Sequence, residues 1–139
     1  MLEFIKKFTD KKIDYVKLKG KYYLKNDLEL TSKKVFMPGF ILGEDKDGKF
    51  LPSLGLLDIL SGMTKEKIFL KDIGEIDFIF KKNLRPRHIE RIEGEDKIGY
   101  LKLVQNEHDE NLGYAKLKKD KRAKNIFDRG SFVRREKHL

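Results

Sequence analysis

The residues best equipped for chemistry are cations gathered near the C-terminus: Lys116, Lys118, Lys119, Lys121, Arg122, Lys124, Arg129, Arg134 and Arg135. Ammonium and guanidinium groups displace counterions from a phosphate backbone, and a guanidinium can pair two phosphate or base oxygens at once. Residues 116–137 hold ten basic groups against three acidic ones, a density that suits a polyanionic partner. The alternative is a solvated, charge-rich surface with no partner. Tyr114, Phe127 and Phe132 interleave with these charges. Exposed, they would stack on unpaired bases; buried, they are core residues of their strands.

A second basic group combines Lys33 and Lys34 with Lys46 and Lys49, the last two around the Gly43 to Gly48 turn. Gly39 and Gly43 would let backbone approach a ribose or phosphate closely, or they serve tight turns alone. Arg85, Arg87, His88 and Arg91 form a third group, which Glu90, Glu93, Glu95 and Asp96 largely cancel, so it ranks below the other two.

No catalytic set emerges. His88, His108 and His138 stand far apart and in no H-x-x-x-H or H-E-x-x-H spacing. Asp45, Asp47 and Gly48 share the opening of a calcium loop, yet Phe50 and Leu51 occupy ligand positions, and a hairpin turn explains them better. Ser53 and Ser131 lack a G-x-S-x-G context, and neither a complete G-x-x-x-x-G-K-S/T, since Phe50 follows Gly48-Lys49, nor G-x-G-x-x-G occurs. With no cysteine, the chain forms no disulfide, thiolate metal site, Fe–S cluster or Cys nucleophile. The chain therefore reads as non-catalytic, with no metal and no cofactor. An RNA-processing enzyme using only Asp, Glu, Lys or His is a remaining, weaker reading.

The elements that must position these residues come from a chain of 139 residues, enough for one ordinary domain with a small appendage. It is 39% hydrophobic and 40% charged, with ten Phe and no Trp, so a folded core is expected. Its net charge is +9, and residues 1–34 contribute +5, residues 35–115 contribute −3 and residues 116–137 contribute +7. No run approaches a membrane span, and the chain reads as cytoplasmic. Heavy Lys, Glu and Ile usage suits a thermophilic, archaeal source, and an AT-rich genome would favour the same codons.

Apolar periodicity predicts an opening helix over 2–10 and a hairpin over 15–24 around Lys19-Gly20-Lys21. It then predicts a short strand at 35–37 ended by a sharp bend at Pro38-Gly39, and a second hairpin turning through 44–49. Pro52-Ser53 opens a helix that stops near Gly62. Ile68 to Leu70 is a strand, and residues 74–83 fit a helix or a strand equally well. Asn83 to His88 is a basic connection. Further strands are expected at 98–104, 112–117, 126–127 and 132–133. The fold class is α+β, a small mixed β pseudo-barrel with short covering helices. Residues 1–34 form a helix-hairpin subdomain, 35–135 the main domain, and 136–139 a tail.

Met37-Pro38-Gly39-Phe40-Ile41-Leu42-Gly43-Glu44, followed by Gly48-Lys49-Phe50-Leu51-Pro52-Ser53, resembles the PUA-like RNA-binding domain at the C-terminus of RNA cytosine-5 methyltransferases. More distantly it resembles the PUA domain of ribosome-assembly proteins. Asn111-Leu112-Gly113-Tyr114-Ala115-Lys116 and the stretch from Ala123 to Gly130 match that family's closing segment, and the order holds from about residue 15 to 135. The resemblance implies a pseudo-barrel with a helix over one opening, which binds structured RNA, tRNA or rRNA, through a Gly-containing loop and neighbouring basic strands. It implies an accessory to RNA modification or ribosome assembly, with a methyltransferase or assembly protein as a further partner. A protein-interaction module docking an acidic subunit is the alternative. Two departures matter. Leu54 stands where many methyltransferase relatives carry a His, and the Cys needed to add to cytosine C6 is missing.

Overall fold

The computed structural model describes residues 1–25 and 36–130. They form two compact units, Met1–Leu60 and Ser61–Leu139. The division falls later than the expected 34/35 boundary because the N-terminal hairpin does not stand alone. It continues into a four-stranded antiparallel sheet with the two strands that follow it.

In the first unit, helix α1 (Leu2–Lys6) is a little over one turn, shorter than the periodicity predicts. Phe8 is brought inward by the next turn, where its N–H donates to the Ile5 carbonyl at 2.9 Å. Ile5 and Phe8 are buried, as the spacing requires. Strands β1 (Tyr15–Leu18) and β2 (Lys21–Lys25) pair around Lys19-Gly20, with φ of 50° and 78°. Strands β3 (Phe36–Lys46) and β4 (Lys49–Pro52) pair around Asp47-Gly48, with φ of 52° and 76°. Both turns hold two consecutive left-handed residues, the geometry that matches strand twist in a two-residue hairpin. An aromatic cluster fills this unit: Tyr22 lies 5.5 Å from Tyr15 and 5.5 Å from Phe50, and Phe4 lies 5.6 Å from Phe50.

Pro38-Gly39 does not end a strand, because β3 runs through it. The β2–β3 register slips there instead, Tyr23 pairing with Ile41 and Lys25 with Phe36. The irregularity falls in the stretch that holds Pro38, a residue with no N–H to give a ladder. Helix α2 (Leu54–Ser61) starts where Pro52-Ser53 signals it. The Ser53 Oγ accepts from the Leu56 N–H at 3.0 Å and donates to the Ile41 carbonyl at 2.7 Å.

The second unit is a five-stranded mixed sheet of β5 (Lys67–Leu70), β6 (Ile89–Glu93), β7 (Leu101–Gln105), β8 (Asn111–Leu117) and β9 (Ala123–Asp128), in the order β6-β5-β7-β8-β9. Only the β5–β7 pair is parallel. Helix α3 (Asp72–Ile79) resolves the ambiguity at 74–83 in favour of helix. It packs through Phe78, which joins Ile68, Leu70, Leu84, Val104, Ala115, Leu117 and Ala123 in one buried cluster. Gly74 permits this approach, since a Cβ there would collide with the His88 carbonyl oxygen. Ile76 and Phe80 lie largely outside, at 57% and 65% exposure.

Lys102 in β7 is fully buried. Its ammonium donates to Glu66 Oε2 and to the Glu93 carbonyl, the latter at 2.6 Å, while the Glu66 carboxylate also accepts from the Glu95 N–H. A buried charge is tolerable only when so paired. Among the described residues no helix is long and apolar enough to cross a membrane.

Candidate nucleic-acid interface

The β8–β9 hairpin assembles most of the C-terminal cations. Leu112 and Gly113 enter a strand that is buried almost throughout, and Tyr114 is buried with it. Burial pushes the Tyr114 hydroxyl up to about 12, and its ring stacks on Phe127 with centroids 6.4 Å apart. Of the interleaved aromatics, Tyr114 therefore belongs to the core and Phe127 is half-buried against it; Phe132 lies outside the described residues.

Beyond Tyr114 the hairpin becomes charged. Lys116 is directly opposite Lys124, and the Lys118 N–H donates to the Arg122 carbonyl at 2.7 Å. Cross-strand partners share a face, and so do residues two apart along a strand, so Lys116, Lys118, Arg122 and Lys124 stand on one face of the hairpin. Like charges placed opposite each other destabilise a sheet. None of the four has an ion-pair partner among the described residues. Lys119 and Lys121 occupy the connecting 3-10 turn, Lys119–Lys121, where Asp120 and Lys121 adopt left-handed φ of 59° and 56°. Non-glycine residues adopt that conformation at a cost of about 1–2 kcal/mol each. Arg129 is half-buried just past β9.

Lys46 and Lys49 pair with each other at the β3–β4 turn and belong to the first unit. Gly43 is enclosed there, between Tyr22 and Pro52, and a Cβ on it would meet Phe50 and Leu51 at 2.5 Å. Its missing side chain makes room for Phe50. Lys33, Lys34, Arg134 and Arg135 lie outside the described residues.

His88, one of the third basic group, is buried at 2% exposure and faces inward. Its Nδ1 accepts from the Arg85 N–H at 3.0 Å, so Nε2 carries the proton and donates to Asp77 Oδ2 at 2.9 Å. That hydrogen bond, with Lys82 and Arg87 nearby, holds the Asp77 carboxyl below the usual carboxylate range. Arg91 is steadied differently, its Nε 2.9 Å from Glu93 and its guanidinium carbon 3.8 Å from the Phe69 ring centroid. Among the described residues no three His, Asp or Glu side chains converge to hold a metal.

One exposed aromatic escaped the sequence reading. Tyr100, 40% exposed, is bonded to β8, its carbonyl accepting from the Leu117 N–H at 2.9 Å, and Lys97 lies 5.9 Å from its ring. An aromatic following a glycine at the mouth of a strand was the available signal. The hairpin and its neighbourhood thus offer a row of cations for phosphates and one ring for a base.

No protein-family model and no curated protein matches the chain. Among solved structures it is similar to a conserved PUA domain protein from Thermoplasma acidophilum, at 14% identity, over 96% of this chain and 89% of that one, with a TM-score of 0.63. The likeness defines the fold, which is PUA-like and α+β.

Proposed function

We propose that the protein is a non-catalytic RNA-binding protein that recognises structured RNA, tRNA or rRNA, through the basic face of the β8–β9 hairpin. The reading rests on one observation: Lys116, Lys118, Arg122 and Lys124 are stacked on one face without acidic partners among the described residues, an arrangement that costs stability unless a polyanion covers it. The PUA-like fold, shared with the Thermoplasma PUA domain protein, supports the same direction. The cations would bind phosphates and set register, while Tyr100 stacks on an unpaired base. In a cell the protein would serve RNA modification or ribosome assembly, beside a methyltransferase or an assembly protein.

Anisotropy titrations with tRNA, an rRNA stem-loop and a matched DNA duplex, at about 50 to 200 mM salt, test this reading. RNA should bind well above DNA, with an affinity that falls steeply with salt. Equal, weak binding to all three would overturn it and favour docking onto an acidic protein subunit.

A further inference from the structure

We propose that the second unit also holds a pocket for a single unpaired guanine base, built from the charge group whose signs nearly cancel in the sequence. The proposal rests on the RNA-binding reading and names what the RNA must present. A cavity of about 210 Å³ is lined by Pro86, Ile89 and Ile92, by the acidic residues Glu90 and Asp96, and by Arg91 and Lys121. It is smaller than the roughly 300 Å³ at which drug-sized sites begin, so it suits one planar base and excludes a dinucleotide. Lys121 belongs to the turn of the basic hairpin, and the Leu84–Ala123 bridge ties the segment before Pro86 to β9, so pocket and hairpin share one framework.

Glu90, Asp96 and Lys121 have no hydrogen-bond or ion-pair partner among the described residues, although opposite signs line the same cavity. Arg91 is held by Glu93 and the Phe69 ring. Strand β6 is an edge of the sheet among the described residues.

Carboxylates beside a phosphate-binding surface carry the wrong sign unless they meet N–H donors. Guanine presents two such donors side by side, N1–H and the N2 amino group, which a carboxylate can accept together. Its O6 and N7 are acceptors that suit Arg or Lys. Adenine and cytosine place one amino donor beside a ring-nitrogen acceptor, and the uracil N3–H sits between two carbonyls. Two acids and two cations around an aliphatic lining therefore select guanine.

The test uses the full chain in two measurements. Isoleucine-methyl NMR is recorded during titration with GMP, with AMP, CMP and UMP as controls for phosphate binding. Ile89 and Ile92 should shift with GMP and not with the others. Anisotropy then compares a stem-loop carrying one bulged G with the same RNA carrying a bulged U. The bulged G should bind about 10-fold more tightly, the discrimination typical of one well-read base. The double change Glu90→Ala, Asp96→Ala should erase that preference. Unmoved Ile89 and Ile92 methyls with GMP, or a G preference that survives the double change, overturns the pocket while steep RNA binding would leave the hairpin reading intact. Equal, weak binding of RNA and DNA overturns both.

Discussion

Replacing Glu66 by Gln should be among the most damaging single-atom-scale changes in the protein. The Lys102 ammonium is fully buried, with Glu66 and the Glu93 carbonyl as its acceptors, whereas the Glu66 side chain keeps 20% exposure. Removing one partner of a buried pair leaves an uncompensated charge, which costs about 3–5 kcal/mol. Glu66 is partly in contact with water, so the lower end, about 3 kcal/mol, is expected. Lys102→Met should cost less, about 1 kcal/mol or under, because the carboxylate left behind can still hydrate and accept from the Glu95 N–H. The double change should cost about 2 kcal/mol, less than Glu66→Gln alone, a coupling of about 2 kcal/mol. At about 4–8 °C per kcal/mol for a unit of this size, Glu66→Gln should lower Tm by more than about 10 °C. Urea melts followed by far-UV circular dichroism on the four proteins of the cycle measure this. Equal losses from the two single changes, or a Glu66→Gln cost below about 1 kcal/mol, would refute the reasoning.

Three other outcomes follow from the same contacts. The Asp77 carboxyl is held low by His88, so its contribution is present above the usual Asp value, about 4, and disappears as pH falls through its folded value. Between about pH 5 and 2, stability of the parent should fall more steeply than that of Asp77→Asn, and parallel curves would count against the His88 bond as cause. Tyr114, with its hydroxyl at about 12, contributes stability below about pH 10 that is lost as pH rises through its folded value. Ultraviolet titration should lose the transition near 12 in Tyr114→Phe, while Tyr22, which is also raised by its hydrogen bond to Asp45, keeps its own late step. Ser53→Ala removes the cap of α2 and should cost about 1 kcal/mol in a urea melt, with no change in RNA affinity.

Much of the local structure was legible because it depends on neighbours in sequence. Lys19-Gly20 and Asp47-Gly48 are turn chemistry, and Ser53 is a helix cap, so each is visible without tertiary knowledge. What stayed hidden depends on partners far along the chain. The Ile89–Glu93 strand reads as a charge cluster because an edge strand need not be apolar. Nothing in the strand expected at 98–104 marks Lys102 for burial, because its partner Glu66 lies 36 positions away. Helix α3 turns Phe78 inward and leaves Ile76 and Phe80 outside because Gly74 lets it lie against the His88 backbone, a contact no periodicity encodes. The basic segment at 116–124 was plain from composition, but its single face follows from the β8–β9 register, including the shift between Tyr114 and Ala115. His88 shows the reverse: its residue type suggested a surface role, and its hydrogen bonds make it structural.

The central claim is that one face of the β8–β9 hairpin meets phosphates, and the salt dependence of RNA binding measures it most directly. Each phosphate contact contributes about 0.7–0.9 to the slope of log affinity against log salt. Replacing Lys116, Lys118, Arg122 and Lys124 together by Gln should lower that slope by about 3 while Lys46→Gln, Lys49→Gln leaves it nearly unchanged. An unchanged slope in the fourfold variant would contradict the account, since the phosphates would then be meeting some other surface.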